Sequence, residues 1–138
     1  MQGAHTNYMS IAVLVVCRQR FTAQTPVADQ KGDHFTNFYK GLDLKVKEKV
    51  KHVLELIKQV DRVPEKFLAP MTGYDGLFEV KIEYQSNIYR IFCCFDEGRL
   101  IVLFNGFQKK TQKTPKNEIV KAIRLKKEYF ELKKQKHD

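Results

Sequence analysis

The stretch GLFEVKIEYQSNIYRIFCCFDEGRLIVLFNGF, residues 76–107, decides the fold class. In residues 78–84 apolar and charged side chains alternate, which is the pattern of a β-strand with one buried face. Residues 88–95 are apolar except for Arg90, and this pattern predicts a central strand whose two faces are both buried. The turns QSN and DEG separate these strands from a third one, LIVLFNGF. The segment therefore predicts an antiparallel meander of three strands.

Helical periodicity flanks the meander on both sides. Upstream, HFTNFYKGL predicts a short amphipathic helix, and a second helix is expected to begin after Asp43 as N-cap and to end at Pro64. The stretch VPEKFLAPMTGYDG then connects this helix to the meander. Downstream, Thr114 is the expected cap of a C-terminal helix with Pro115 at its first position. The apolar stripe of that helix is predicted at Ile119, Ala122, Ile123 and Phe130.

The first part of the chain carries fewer signals. The branched residues of IAVLVVC, 11–17, predict a first strand, and residues 18–34 predict a loop. The apolar run is too short to span a membrane and lacks the flanks of a signal peptide. We expect residues 1–34 to form an N-terminal extension and residues 35–138 to form one domain. The predicted fold is α+β in the order β-α-α-β-β-β-α, with the helices packed on one face of a small, mainly antiparallel sheet.

Charge is the unusual feature of the composition. The chain of 138 residues has a formal net charge of +9. Residues 106–138 hold eleven Lys and Arg against four acids, so most of the excess lies in the last quarter of the chain. A concentrated basic field attracts phosphate-bearing partners or acidic proteins, and charge alone does not choose between them.

The cysteines and histidines argue against a disulfide-stabilised fold and against a metal site. Cys17, Cys93 and Cys94 form no disulfide framework, and the four histidines have no metal-ligand spacing. Cys93 and Cys94 are expected to be buried on opposite faces of one strand. Free thiols of this kind fit a reducing cytoplasm, and we expect neither a metal nor another cofactor.

Two basic features are candidates for a functional site. Arg90 lies in an apolar strand, where an unpaired charge would be very costly, so it either forms an ion pair with Glu79 or Glu83 or faces an open groove and binds phosphate. Lys81 on the preceding strand allows the same two interpretations. The basic cluster that precedes the last helix is either a solvated loop or an anion site at a helix N-terminus. This cluster consists of Lys109, Lys110 and Lys113.

The motifs G-L-F-E-V-K-I, Y-R-I-F, G-F-x-K-K-T-x-K-T-P and E-I-x-x-A match a known family. On them, the region from Phe35 to Phe130 resembles the phage-derived, HigB-like branch of the RelE/ParE toxin superfamily. The resemblance implies a toxin of a toxin–antitoxin system that cleaves mRNA in the ribosomal A site without a metal. It also implies a cytoplasmic protein that contacts ribosomal RNA and is neutralised by a HigA-type helix-turn-helix antitoxin. No membrane association is expected.

The resemblance assigns roles to individual residues. Arg90 corresponds to the phosphate-binding arginine of the family, Lys81 to a basic residue on the preceding strand, and Lys109 and Lys110 to a second catalytic cation. The remaining candidates for binding RNA phosphates are Lys113, Lys116 and Arg124.

Two departures from the family pattern keep other functions open. The matching region of residues 113–115 lacks the tyrosine that stacks on the substrate base in RelE, and no histidine falls in the motif segment. The alternatives are a ParE-like toxin that inhibits gyrase and a catalytically inactive relative that only binds a partner or nucleic acid.

Overall fold

The computed structural model describes residues 14–17, 23–24, 34–60, 62–96 and 100–137. Its elements in chain order are β1 Leu14–Cys17, β2 Ala23–Gln24, α1 His34–Lys40, α2 Leu44–Gln59, β3 Leu68–Pro70, β4 Phe78–Tyr84, β5 Asn87–Asp96, β6 Leu100–Lys109 and α3 Lys116–His137.

The strands form one antiparallel sheet in the order β2-β1-β6-β5-β4-β3. The α+β class and the meander of β4, β5 and β6 are therefore confirmed, and β5 is central.

Strand β1 lies in the predicted first strand. Two short strands were not expected, because β2 lies in the predicted loop 18–34 and β3 lies in the predicted connection. The rest of the predicted N-terminal strand and loop, and most of the turn DEG, lie outside the described residues. The proposed boundary between an extension and a domain at residue 34 stays a prediction.

The turn between β4 and β5 fixes their register. Gln85 and Ser86 both have positive φ angles, 49° and 73°. A two-residue turn with this backbone matches the right-handed twist of the flanking strands. The resulting ladder pairs Tyr84 with Asn87 and, further along, Lys81 with Arg90. The hairpin thus places two cations side by side on one face of the sheet.

The sheet is covered by helices on both faces, and this corrects the prediction that all helices pack on one face. On one face, Cys93 belongs to a core that also contains Phe35 of α1 and Val50 of α2. On the other face, the neighbouring Cys94 belongs to a second core with Leu125 of α3. The physical reason is the apolar run of β5, since successive side chains of a strand point to opposite faces.

The predicted limits of two helices shift in the structure. Helix α2 ends at Gln59, where Val60 N–H donates to the carbonyl of Leu56 at 3.1 Å, so the helix stops before Pro64. Asp43 precedes α2 as expected, but its side chain makes no capping hydrogen bond. Helix α3 begins at Lys116, one residue after Pro115.

The apolar stripe of α3 is also partly different from the prediction. Ile119 and Ala122 are buried as expected, and Leu125 and Tyr129 complete the inner face. Ile123, by contrast, is 42% exposed. A helical turn takes about 3.6 residues, so Ala122 and Ile123 lie about 100° apart around the helix axis. The side of α3 that carries Ala122, Leu125 and Tyr129 packs on the sheet, and Ile123 is therefore turned towards solvent.

Helix α3 is fixed to the sheet at two points. Near its start, Asn105 Nδ2 of β6 donates to the carbonyl oxygen of Glu118 at 3.1 Å and to its Oε1 at 2.9 Å. Near its end, the buried carboxylate of Asp96 accepts a hydrogen bond from Tyr129 Oη at 2.7 Å. Lys133 Nζ also donates to Asp96, at 2.7 Å to Oδ1. The helix therefore runs over the half of β5 and β6 that extends from Asn105 towards Asp96.

Gly106 gives a test of the packing between α1 and β6. A Cβ atom at this position would lie 2.5 Å from Cδ2 of Phe38, which is closer than side chains approach one another. We expect Gly106→Ala to lower the free energy of unfolding by about 1–3 kcal/mol through overpacking, measured by chemical denaturation. Gly41→Ala is the control, because the nearest atom to its Cβ would be 3.7 Å away. Equal stability of the two variants would contradict this account of the packing.

Candidate functional site

Arg90 lies on the part of the sheet that α3 leaves open. It pairs with Lys81 of β4 on one side and with Phe107 of β6 on the other. Directly paired residues point to the same side of a sheet, so all three side chains lie on one face. Phe107 belongs to the core that α3 covers, and we call this side the α3 face of the sheet. Helix α3 contacts β6 at Asn105 and then runs in the opposite direction, towards Asp96. Lys81 and Arg90 therefore lie beyond the start of the helix, while Phe107 is buried at the edge of the core that α3 covers.

The charge of Arg90 is compensated by one carboxylate. Its Nε atom lies 2.9 Å from Oε1 of Glu79, and the two side chains are 12% and 15% exposed. The Nε–H group has no aligned hydrogen bond, so this contact is an ion pair without hydrogen-bond geometry. Nη1 donates to the carbonyl of Tyr89 at 3.1 Å. Of the two carboxylates that the sequence left open as partners, the structure selects Glu79.

The ion pair does not remove Arg90 from solvent, because Arg90 also lines a cleft of about 450 Å³. We call this space the Arg90 cleft. Its lining residues come from α2, the segment before β3, β4 and β5, and are Lys49, Lys66, Phe67, Lys81, Glu83 and Arg90. Four of the six carry a positive charge and one carries a negative charge. Arg90 therefore has a structural partner and also lines an open basic cleft, while its binding of phosphate stays a prediction.

A backbone contact holds the outer wall of the cleft in place. Lys81 N–H donates to the carbonyl of Phe67 at 2.8 Å, which fixes the segment before β3 to the edge of β4. Lys66 Nζ lies 5.1 Å from the centre of the Phe67 ring, within the range of a cation–π contact. The positions of Lys66 and Lys81 are thus linked through Phe67.

The predicted cluster of lysines divides into two parts. Lys109 is the last residue of β6 and pairs with Ile88, so it lies on the same face as Arg90, two residue pairs further along the strand. Diagonal neighbours of this kind lie within reach of long side chains. Lys110 and Lys113 are exposed in the segment that leads to α3. There, Thr111 Oγ1 donates to the carbonyl of Lys113 at 3.0 Å.

Like Lys109, Lys110 and Lys113, the last two candidates do not line the Arg90 cleft. Lys116 is exposed at the start of α3. Arg124 lies about two turns further along the helix, where its Nη1 forms an ion pair with Glu128 at 3.1 Å. The structure therefore brings Arg90 and Lys81 together with Lys109 on the same face, and it leaves Arg124 apart from them.

Sequence reasoning missed two cations of the cleft and the position of one acid. Lys49 had no predicted role beyond its place in the second predicted helix, and Lys66 lies in the stretch predicted only as a connection. Glu83 was considered only as a partner of Arg90, whereas in the structure it is an exposed carboxylate at the cleft. No local signal marks Lys49 or Lys66, because their proximity to Arg90 depends on how α2 and the segment before β3 pack around β4.

The described residues contain neither a metal-binding cluster nor a membrane-spanning helix. No group of three or more His, Cys, Asp or Glu side chains there could hold a metal ion. No helix in the same part of the chain is both long and apolar enough to cross a membrane.

The comparisons with known proteins identify the family. The model of the family described as phage derived protein Gp49-like (DUF891) matches residues 37–127. The chain belongs to this family. Gp49-like proteins are of the RelE/ParE toxin type, so the chain belongs to a family of toxin-like proteins. The matched region contains Arg90 and the whole basic segment from Lys109 to Lys116. Neither the comparison with curated proteins nor that with solved structures gave a match.

Buried thiols take no part in the open basic site. Burial raises the pKa of Cys93 well above its ordinary value, and interactions with the neighbouring Cys94 and Glu79 raise it further. Burial likewise raises the pKa of Cys94 to about 12, against a smaller opposing effect of Lys126. Both side chains are therefore neutral thiols near pH 7, and the expectation that they are buried on opposite faces is confirmed.

The cysteines offer a test by chemical modification and by pH. In a Cys17→Ser background, we expect a thiol reagent at pH 8 to modify neither remaining cysteine in the folded protein and both in denaturant, as counted by mass spectrometry. Because the folded-state pKa of Cys94 is raised, its contribution to stability is intact below pH 9 and is lost as the pH rises towards 12. The Cys94→Ala variant should lack that part of the pH dependence. Rapid modification under native conditions would contradict the burial.

Proposed function

We propose that this protein is a HigB-like toxin that cleaves mRNA on the ribosome by metal-free attack of a ribose 2′-OH on the adjacent phosphate. The observation that carries the proposal is the Arg90 cleft, where three lysines surround one arginine on an uncovered sheet face. The family supports a toxin, and the cleft supports a substrate that carries phosphate groups.

The roles in this reaction follow from charge and position. Cleavage forms the bond from O2′ to phosphorus and breaks the bond from phosphorus to O5′, giving a 2′,3′-cyclic phosphate and a 5′-OH. The guanidinium of Arg90 and the ammonium of Lys81 stabilise the negative charge that develops on the phosphoryl oxygens. Glu79 keeps the guanidinium in place through the ion pair at 2.9 Å, so it is a positioning residue.

Two proton transfers remain. We assign the acceptance of the 2′-OH proton to Glu83, an exposed carboxylate that lines the cleft together with Arg90 and Lys81. We assign the donation of a proton to O5′ to Lys109 at the end of β6 or to Lys110, which follows it. Lys113 and Lys116 continue this basic surface and would bind neighbouring phosphates of the RNA. Arg124 is assigned the same role further along α3, if binding of RNA replaces its exposed ion pair with Glu128.

The ribosome is part of the proposal because residues 113–115 hold no aromatic side chain that could stack on a substrate base. We expect the purified protein to cleave naked RNA poorly and to cut mRNA in programmed ribosomes within the A-site codon. Mapping of 5′-OH ends on both substrates measures this. Efficient cleavage of free RNA without codon preference would contradict the need for ribosomes, and gyrase inhibition without RNA cleavage would identify a ParE-like toxin instead.

Variants of Arg90 and Glu79 distinguish a role of Arg90 in cleavage from a role in stability. Arg90→Ala should slow cleavage by roughly a hundredfold to a thousandfold, the usual effect of removing one preorganised donor. It should also lower stability by about 1–3 kcal/mol, because the largely buried carboxylate of Glu79 loses its partner. The double variant Arg90→Ala with Glu79→Gln removes that stranded charge, so its stability should recover while its cleavage stays low.

Arg62→Ala is the matched control, since Arg62 is exposed and does not line the cleft. Cleavage rates and denaturation midpoints are measured for all variants. Recovery of cleavage in the double variant would show that Arg90 acts only through stability. Lys110→Ala should have a milder effect, because Lys109 and Lys113 maintain the local field. Full activity after removal of Arg90, Lys109 and Lys110 together would refute the site.

A further inference from the structure

A second concave surface lies on the far side of the molecule's C-terminal helix. It is a groove of about 640 Å³ between the outer side of α3 and the loop that connects β3 to β4. We call it the α3 groove. It shares no lining residue with the Arg90 cleft. A ligand of the groove would therefore not occupy the proposed catalytic residues.

The floor of the α3 groove is apolar and partly open to solvent. Ile123 of α3 is 42% exposed and Tyr74 of the loop is 36% exposed, while Phe130 is half-buried and Leu77 forms the buried base. Val120, one turn before Ile123, is 64% exposed and extends the apolar line along the helix. Single exposed apolar residues are common on protein surfaces, but a contiguous row within a groove is typical of an interaction site.

The groove is held in shape before any ligand binds. Three backbone hydrogen bonds close the loop: Met71 N–H to Leu77 O at 2.8 Å, Tyr74 N–H to Met71 O at 3.2 Å, and Leu77 N–H to Tyr74 O at 3.1 Å. Gly76 lies against α3, since a Cβ atom there would be 3.3 Å from Lys126 Nζ. A preformed surface of this kind lowers the ordering cost of binding.

The charges at the groove select the kind of partner. Its rim carries Lys126, Lys127 and Lys134, opposed by Asp75 and Glu131. The excess is positive, which favours an acidic partner, and the chain's net charge of +9 disfavours a second copy of itself. Nucleic acid fits less well, because a phosphate backbone has no apolar face to bury on the floor of the groove, and the floor offers phosphates no donors.

We propose that the α3 groove docks an acidic amphipathic helix of a partner protein, with its apolar face on Ile123 and Phe130 and its carboxylates towards the rim lysines. The outer residues Val120, Ile123, Lys127, Phe130 and Lys134 follow one side of α3 at helical spacing, which suits a ligand that runs along the helix. The identity of this partner as the HigA-type antitoxin rests on the proposed function; the docking itself does not.

The probe is a synthetic 18-residue helical peptide with leucines on one face and glutamates on the other, and its binding to the full chain is measured by fluorescence anisotropy. We expect Ile123→Glu to weaken binding at least tenfold, because it places a charge on the apolar floor and repels the peptide. Asn117→Glu is the matched control, since it makes the same change of charge on an exposed position of α3 outside the groove. It should change the affinity by less than threefold.

Competitors decide between the possible occupants. A peptide of the same pattern with lysines in place of glutamates should not bind, and a single-stranded RNA of equal negative charge should not displace the acidic peptide. Absence of peptide binding, equal binding of both peptides, displacement by the RNA, or equal effects of Ile123→Glu and Asn117→Glu would each overturn the proposal.

The same variants keep this inference distinct from the proposed function. Ile123→Glu should retain mRNA cleavage on ribosomes, because the groove and the Arg90 cleft share no residue. If no variant or wild-type protein cleaves RNA while peptide binding still depends on Ile123, the docking surface stands and the assigned activity falls. Loss of cleavage in Ile123→Glu with peptide binding unchanged would refute the docking surface.

Discussion

Strand β5 has to be buried on both faces, and the arrangement of the helices follows from that requirement. Its neighbours Cys93 and Cys94 belong to opposite cores, one covered by α1 and α2 and the other by α3. A strand this apolar would expose a large hydrophobic surface if either layer were missing. The sheet is therefore the middle layer of three, and α3 leaves open the region of its face that carries Arg90 and Lys81.

The position of α3 decides how much of that face stays open. Asn105 holds the first turn of the helix through Glu118, and the buried carboxylate of Asp96 holds the other end through Tyr129 and Lys133. An Asp96 carboxylate at this position would be costly to bury without these partners. Because both anchors lie on the same side of Arg90, one helix can complete the second core and leave the basic cleft accessible.

The cleft and the α3 groove place two kinds of positive surface on different parts of the fold. In the cleft, lysines from separate elements surround Arg90, which suits a multiply charged phosphate substrate. In the groove, lysines border an apolar floor, which suits an amphipathic protein segment. The positive charges of the chain are therefore divided between two surfaces. The kind of ligand that suits each surface depends on the side chains that accompany its lysines.

Much of the fold could be predicted from local sequence patterns. The alternation in residues 78–84, the apolar run of residues 88–95 and the helical spacing in α2 predicted their elements, because a side chain's face within one element depends only on the period of that element. The lone charge of Arg90 and its two acidic partner candidates were likewise visible in the sequence. The short strands β2 and β3 were missed, since strands of two and three residues are too short to show a period.

Tertiary structure decided what joins distant segments. The choice of Glu79 over Glu83, the presence of Lys49 and Lys66 at the cleft, and the packing of α3 on the opposite face depend on register, strand twist and helix docking. Ile123 shows the same limit within one helix, because periodicity allowed it on the buried stripe and only the docking angle of α3 turned it outwards. The sequence by itself determined which residues prefer burial or water, and only the packed sheet determined which of them meet, because contacts between segments far apart in the chain are set by geometry that no local pattern encodes.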